Sequence, residues 1–184
     1  MYAVEASNMA DCAEILVNHN DLSSKISIVK GKVEEVEIPE QVDVIISEPI
    51  GFLLVHERML ESFVSARDRF LKPGGKMYPS RGSILFSPLS DETIFNEHLA
   101  RAAFWDQEEF YGVDVTPLKA VCVKEFFSQP TVGYFPSSSL LSSEYASYEV
   151  DFRSVTAEEL QNFEIPFSFT IERTGIHFDI IIKL

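Results

Sequence analysis

Residues 42–51 read Val-Asp-Val-Ile-Ile-Ser-Glu-Pro-Ile-Gly, and this stretch decides the predicted fold. Its first five residues are nearly all apolar, which is typical of a central parallel strand that is covered on both faces. Pro49 and Gly51 then interrupt regular structure and predict a turn. Glu48 therefore stands at the carboxyl end of the most apolar strand, where open α/β sheets place their ligands.

The segments around this stretch alternate between predicted strands and helices. Apolar runs predict strands at 2–4 and 26–29, and helical spacing predicts helices from Ser7 to about Asn20 and from Glu57 to Leu71. The Lys-Pro-Gly-Gly sequence at 72–75 is expected to stop the second helix. Strands and helices joined by short links predict the α/β class.

The beginning of this predicted sheet is unusual. A doubly wound nucleotide-binding sheet opens with a strand and a glycine-rich turn, and an acidic residue follows the next strand. Here the strand at 2–4, followed by Glu5, matches that next strand, and nothing precedes it. The sequence therefore predicts a chain that is truncated at its N-terminus.

Beyond about residue 80 the pattern becomes rich in predicted strands. Tyr148, Val150 and Phe152 alternate with polar residues, as in a half-buried strand. Thr156 and Glu159 fit a capping box. The other predictions are a strand beginning at 84–86, a helix near 91–103 capped by Ser90, an aromatic, uneven stretch at 104–135, and strands at 163–171 and 176–184.

Composition excludes several protein classes. The chain has 184 residues, is 46% hydrophobic, and has only 8 Gly and 9 Pro, which excludes disordered and collagen-like classes. It has no apolar run long enough for a membrane helix and no signal-peptide pattern, and its two cysteines do not predict a disulfide framework. The net charge of −14 disfavours nucleic acid and suits a cationic protein partner. We therefore expect an intracellular, soluble, globular chain.

Two acidic positions are candidates for binding a nucleotide cofactor. Glu5, at the end of the first strand, is placed to accept hydrogen bonds from both ribose hydroxyls. The alternative is a solvated acid that favours the positive end of the helix dipole. Glu34, after Val33, could accept a hydrogen bond from an adenine amine while the backbone binds the ring edge. The alternative is that the acidic run around Glu34 is a solvated face.

Glu48 and Glu57 form a second candidate pair. They are nine positions apart, at a strand end and a helix start, and the residues between them are unusually apolar for a solvent loop. A hairpin that brings two carboxylates together would suit a planar cation with a fixed fork of donors, such as guanidinium. The alternative is two surface glutamates, one of which favours the helix start.

Several motifs resemble those of protein arginine methyltransferases. The proline after Glu48, Pro49, resembles the sequence of the coactivator-associated branch of that family at this position. The motifs are Tyr-Ala-Val-Glu-Ala-Ser at 2–7, Gly-Lys-Val-Glu-Glu-Val at 31–36, Ser-Glu-Pro-Ile-Gly-Phe at 47–52, Glu-Arg-Met-Leu-Glu-Ser at 57–62, Lys-Pro-Gly-Gly at 72–75, Phe-Trp at 104–105, Gly-Val-Asp at 112–114 and Ile-Pro-Phe at 165–167.

The resemblance implies a reaction and a set of site residues. S-adenosylmethionine would be the methyl donor, and an arginine of a histone-like or other nuclear protein would be the acceptor. Glu5 would hold the ribose, the Val33 backbone with Glu34 would bind adenine, and Ser62 would lie near adenine. The catalytic pair Glu48 and Glu57 would grip the guanidinium, and Met59 would line the site beside them. No metal is implied.

The resemblance also implies a domain organisation. Residues 1–79 would be the later part of a Rossmann-like cofactor domain, and residues 80–184 part of a β-barrel-like substrate domain. An arm at about 91–135 would dock on a second subunit in a homodimer, with contacts from Phe95, Leu99, Phe104, Trp105 and Tyr111. The branch implies asymmetric dimethylation and a location in nucleus and cytoplasm.

The departures from the family pattern leave an alternative open. Phe52 replaces a usual Tyr, Ile50 a usual Met and His56 a usual Asn. The glycine-rich first motif and the later Thr-His-Trp loop are absent from the sequence. The alternative is therefore a catalytically incomplete fragment or pseudo-enzyme that binds partners. A nicotinamide-dependent oxidoreductase that uses Glu5 for ribose ranks last, because Glu48 and Glu57 would have no role in it.

Overall fold

The computed structural model of the chain describes residues 1–175 and 179–183. In these residues the strands are β1 (Tyr2–Glu5), β2 (Ser27–Lys30), β3 (Val42–Ile46), β4 (Leu71–Tyr78), β5 (Arg81–Leu89), β6 (Ala146–Asp151) and β7 (Asp179–Lys183). The α-helices are α1 (Met9–His19), α2 (Met59–Phe70), α3 (Glu92–Ala102), α4 (Lys119–Ser128) and α5 (Ala157–Gln161). The predicted α/β class is confirmed.

Two parallel strand pairs organise the first part of the chain. β1 pairs with β2 from Tyr2 opposite Ser27 to Glu5 opposite Lys30. β3 pairs with β4, and Ile46 lies opposite Tyr78. Parallel neighbours need a crossover connection, which α1 and α2 provide. The predicted strands at 2–4, 26–29 and 42–46 are therefore confirmed within one residue at each end.

The Lys-Pro-Gly-Gly sequence at 72–75 follows the end of α2 at Phe70, as the sequence predicted, and it forms part of β4. Val42 lies opposite Leu71, whereas Val44 lies opposite Lys76, so β4 bulges between these two pairings. Gly74 has φ +77°, a backbone conformation that glycine adopts without steric cost. The bulge thus accommodates a proline that has no N–H to donate to the ladder.

β3 is less buried than its sequence predicts. Val44 is 42% exposed and Ile46 is 77% exposed, so the expectation of a strand covered on both faces is wrong for the described chain. The reason is the sheet topology, because β1–β2 and β3–β4 are separate two-stranded sheets in the described residues. The apolar surface of β3 therefore has fewer neighbouring side chains than that of a central strand.

Met1–Ile84 and Ser147–Pro166 pack as one compact unit. Helix α2 supplies the buried side chains Leu60, Phe63, Val64, Ala66 and Phe70. The ring of Phe63 meets the ring of Phe152 edge-on at 6.0 Å between centroids. The alternation at 148–152 and the capping box at Thr156 and Glu159 are confirmed, the latter at the start of α5.

Leu85–Ala146 and Phe167–Ile182 form a second compact unit, which contains α3 and α4. The ring of Phe95 on α3 lies 5.0 Å from the ring of Phe127 on α4. The cap of α3 is Asp91, whose side chain accepts from the backbone N–H groups of Thr93 and Ile94, and not the predicted Ser90. A carboxylate cap is favoured at the positive end of the helix dipole.

Two further predictions concern the C-terminal strands. Residues 163–171 form no strand, and Pro166 within them has no N–H to donate to a ladder. Phe167 in this segment stacks on Phe86 with 5.9 Å between ring centroids. The strand predicted at 176–184 is observed as β7, although residues 176–178 and 184 lie outside the described residues. In the described chain β7 belongs to a three-stranded sheet in the order β6–β5–β7.

None of the helices among the described residues is long and apolar enough to cross a lipid bilayer.

Candidate functional site

A cleft of about 1290 Å³ opens in the first compact unit. Every residue of β1 and of β3 lines it. Because successive residues of a strand point to opposite faces, a cleft lined by all of them borders the edges of the two strands. The opposite wall is one face of α2, formed by Met59, Ser62, Phe63, Ala66 and Phe70.

Five of the seven predicted site residues line this cleft: Glu5, Val33, Glu34, Met59 and Ser62. The charged side chains of the lining are mainly acidic, with Glu5, Glu34, Glu35, Glu40 and Asp43 against Lys32 and Lys72. The two lysines are engaged in ion pairs, Lys32 with Glu35 at 3.5 Å and Lys72 with Asp43 at 2.9 Å. The cleft thus favours a ligand that carries positive charge and hydrogen-bond donors.

Glu5 lies at the carboxyl end of β1, and its carboxylate is already oriented by the backbone. Glu5 Oε1 accepts a hydrogen bond from the Ser7 N–H at 2.6 Å. The backbone N–H and side chain of Ser7 lower the pKa of Glu5, because they stabilise the ionised form. A carboxylate has about four acceptor positions, and donors of Ser7 and Ala6 occupy part of them.

Glu34 lies in the loop that follows β2 and is held by helix α2. The Ser62 hydroxyl donates a hydrogen bond to Glu34 Oε1, and this contact lowers the pKa of Glu34. The structure therefore brings together two of the predicted adenine-site residues that are 28 positions apart.

A third residue of α2 contacts the same loop and was missed by sequence reasoning. The Arg69 guanidinium donates to the carbonyl oxygens of Val33 and Val36 and to the Glu37 carboxylate. The sequence feature that could have identified Arg69 is its seven-residue spacing from Ser62, which places both residues on one helical face. An arginine on an amphipathic helix is ordinarily solvated, so spacing alone did not single it out.

Glu48 and Glu57 flank a compact apolar hairpin. Pro49 and Leu54 are fully buried inside it, and Gly51 and Leu54 form an antiparallel bridge. The Glu57 side chain packs directly against Gly51: a Cβ added to Gly51 would lie 2.8 Å from Glu57 Cγ. Burial therefore explains the apolar residues Pro49 and Leu54, whereas Phe52 and Leu53 in the same hairpin are 51% and 45% exposed.

Both carboxylates of this pair are exposed. In the described part of the chain, neither Glu48 nor Glu57 makes an ion pair or a side-chain hydrogen bond. Neither residue lines the cleft, but Ser47, the neighbour of Glu48, and Met59, two residues after Glu57, both do. The two acids are thus close in sequence to residues of the cleft lining, and the described residues leave their hydrogen-bonding capacity unused.

The sequence matches known proteins along most of its length. A sequence profile of the arginine methyltransferase oligomerization subdomain matches residues 80–182. The probable histone-arginine methyltransferase CARM1 of Oryza sativa subsp. indica is 51% identical over 170 residues, which cover 92% of this chain and 32% of that protein. The histone-arginine methyltransferase CARMER of Drosophila persimilis is 46% identical over 176 residues, 96% of this chain and 33% of that protein. The chain spans about a third of the length of these relatives.

Solved structures agree with these sequence matches. Arabidopsis thaliana protein arginine methyltransferase 10, in an open conformation, aligns with a TM-score of 0.67 and 33% identity over 86% of this chain and 49% of that chain. The Trypanosoma brucei PRMT1 enzyme–prozyme heterotetrameric complex with AdoHcy aligns with a TM-score of 0.68 and 30% identity over 86% of this chain and 47% of that chain. Since the subdomain profile also covers more than half of the residues, the chain belongs to the arginine methyltransferase family.

Proposed function

We propose that this chain is part of a protein-arginine N-methyltransferase that takes its methyl group from S-adenosylmethionine. The proposed acceptors are arginine side chains of nuclear proteins such as histones, with asymmetric dimethylarginine as product. The observation that carries the proposal is the position of Glu5, Glu34 and Ser62 in one cleft, whose lining also includes Ser47, next to Glu48, and Met59, two residues after Glu57. The names of the rice and Drosophila relatives support the same activity.

The lining of the cleft fits the adenosyl part of the cofactor. Glu5 is ionised and placed at a strand end, which suits both ribose hydroxyls. Glu34 is ionised and suits the adenine amine, while the main chain at Val33 is available for the ring edge. The excess of acidic side chains matches the positive sulfonium. When bound, S-adenosylmethionine supplies an electrophilic methyl group.

Glu48 and Glu57 would hold the acceptor arginine. A guanidinium group stays protonated at any accessible pH, so its nitrogens are poor nucleophiles. Two carboxylates that accept hydrogen bonds from the guanidinium would draw positive charge toward themselves and leave one terminal nitrogen pointing into the cleft. The contribution of the pair is therefore orientation and electrostatic preorganisation, and Met59 would border the same channel.

The remaining proposals concern assembly and domain organisation. We assign residues 1–79 to the cofactor domain, residues 80–184 to a β-barrel-like substrate domain, and about 91–135 to an arm that pairs two subunits. The profile that matches 80–182 describes an oligomerization subdomain, and the arm segment carries exposed aromatic side chains, with Phe104 at 48% and Tyr111 at 93% exposure. These assignments support a homodimer, and the histone-directed names of the relatives support its proposed action in the nucleus as well as the cytoplasm.

The test is methyl transfer by a full-length chimera in which this chain replaces the matching third of the rice relative. The chimera should methylate a histone peptide that contains arginine and should leave a peptide with lysine at that position unmodified. Glu57→Gln should abolish transfer while S-adenosylhomocysteine binds with unchanged affinity, because the cation clamp is separate from the adenosyl contacts. Glu14→Gln, an exposed acid on α1, is the matched control and should retain activity. Wild-type turnover in Glu57→Gln would contradict the proposal.

A further inference from the structure

Arg69 connects helix α2 to the loop after β2 through three acceptors. Its Nη1 donates to the Val33 carbonyl, and its Nη2 donates to the Val36 carbonyl at 2.7 Å and to Glu37 Oε1 at 2.9 Å. The side chain is 27% exposed, so most of it is shielded from water. A guanidinium group has five N–H donors fixed in one plane, whereas an ammonium group has three donors on a single atom.

The loop has little other backbone support at these carbonyls. Within it, the N–H groups of Glu35 and Val36 both bond to the Lys32 carbonyl, at 2.9 and 3.0 Å. That turn uses one carbonyl twice and leaves those of Val33 and Val36 for a donor from outside the loop. Arg69 supplies that donor, and a carbonyl bonded to a charged donor is held more firmly than one bonded to a neutral group.

A second attachment runs along the same helical face. Ser62 lies seven residues before Arg69, two helical turns away, and its hydroxyl donates to Glu34. The loop is thus fastened to α2 twice, once through the Glu34 side chain and once through the Val33 main chain. The N-terminal end of this helix, Met59, lies two residues after Glu57, so one rigid element lies next to both proposed subsites.

We propose that Arg69 is a positioning residue for recognition of the adenine base. It holds residues 33–37 so that the Val33 main chain and the Glu34 carboxylate face the cleft. The Val33 carbonyl belongs to the same peptide group as the Glu34 N–H, and a cation on the carbonyl strengthens that N–H as a donor. The proposal rests on the proposed function, since it takes the bound base to be adenine.

The preference of the cleft for adenine over hypoxanthine depends on the position of Glu34. A residue that only stabilises the fold would not change this preference. Adenine presents an exocyclic amine, which donates to a carboxylate, whereas hypoxanthine presents a carbonyl there, which a carboxylate repels. A correctly held Glu34 should therefore favour S-adenosylhomocysteine over S-inosylhomocysteine. If Arg69 sets the position of Glu34, its loss should reduce this preference as well as the affinity.

Arg67 offers a matched control on the same helix. Its Nη1 donates to the carbonyl oxygens of Phe152 at 2.9 Å and Val155 at 2.8 Å. It thus makes the same kind of contact with two main-chain carbonyls, but in a segment that does not line the cleft. Arg67→Gln should lower the melting temperature and leave the preference between the two bases unchanged.

The experiment measures calorimetric affinities of both nucleosides for the rice chimera and for its variants Arg69→Gln, Arg69→Lys and Arg67→Gln. Arg69→Gln should weaken S-adenosylhomocysteine binding about tenfold and bring the preference close to unity, since a charge-assisted contact is lost. Arg69→Lys should have an affinity and a base preference between those of the wild type and those of Arg69→Gln. If Arg69→Gln does not fold, the comparison of Arg69→Lys with the wild type tests the proposal. The KM for the arginine peptide should stay at the wild-type value in both.

The outcomes separate the two proposals. Wild-type affinity and base preference in both Arg69 variants would overturn the positioning role while the proposed function stands. A loss of preference in Arg67→Gln equal to that in Arg69→Gln would also overturn it, because the effect would then be general destabilisation. Failure of the wild-type chimera to bind S-adenosylhomocysteine would overturn the proposed function, and the inference with it.

Discussion

The Ser62 hydroxyl on α2 donates a hydrogen bond to the Glu34 carboxylate in the loop after β2. This contact joins the helix that follows Glu57 to the loop of the proposed adenine subsite. Since Met59, Ser62, Ala66 and Phe70 on that helix also line the cleft, α2 forms a continuous wall from the hairpin to the loop. Changes at either end of the helix are therefore expected to affect different ligands.

Glu5 should contribute to cofactor affinity through its ionised carboxylate. In the rice chimera, Glu5→Ala removes the acceptor for both ribose hydroxyls and should weaken S-adenosylhomocysteine binding by about 1.5–3 kcal/mol. Isothermal calorimetry measures this directly. Glu14→Ala, which removes an acid from the exposed face of α1, is the control. Equal affinity of Glu5→Ala and wild type would argue against the ribose assignment.

Gly51 should be required for the position of Glu57. A Cβ at residue 51 would lie 2.8 Å from Glu57 Cγ and 2.9 Å from Glu57 N, so Gly51→Ala must displace the carboxylate or its backbone. We expect kcat/KM for the arginine peptide to fall about a hundredfold in the chimera, as for a misplaced positioning group. Gly133→Ala is the control, because nothing lies within 4 Å of its Cβ. Unchanged turnover in Gly51→Ala would show that Glu57 needs no such support.

Asp151 should make folding stability depend on pH in the acid range. Hydrogen bonds from the Arg153 side chain lower the pKa of Asp151 to about 2. A depressed pKa stabilises the fold above the unfolded-state value, about 3.9, and this contribution is lost as the pH falls toward the folded value. Asp151→Asn should therefore lower the melting temperature at pH 6 and have little effect near pH 2. A constant difference at both pH values would contradict this prediction.

The 184-residue chain without further segments should bind S-adenosylhomocysteine weakly or not at all and should not methylate. The edges of β1 and β3 both border the cleft, so its walls include backbone groups that no strand of the described residues pairs. Such edges favour self-association, which analytical ultracentrifugation of the purified chain would detect. Micromolar binding in calorimetry together with measurable turnover would show that this expectation is wrong.

Local spacing in the sequence was sufficient to predict much of the first unit. Apolar runs predicted β1, β2 and β3, and the Thr156–Glu159 pattern predicted the start of α5, because these features depend on neighbours within a few residues. The position of Glu5 at a strand end follows from the same kind of information. The family resemblance, confirmed by the comparisons, rests on short motifs of that type.

Only the tertiary structure decided which distant groups meet. Arg69 bonds to a carbonyl 36 residues away and Arg67 to one 85 residues away, and no helical spacing distinguishes a solvated arginine from one that spans two segments. Asp91 and Ser90 are both acceptable caps, and Asp91 also accepts from the distant Ser139 hydroxyl. The exposure of Ile46 likewise depends on which strand lies beside β3. The sequence alone determined β1 to β3, the start of α5 and the residue types of the candidate site. Long-range packing decided their partners and the structure of residues 71–78 and 163–171, because a side chain's environment is set by the segments folded against it.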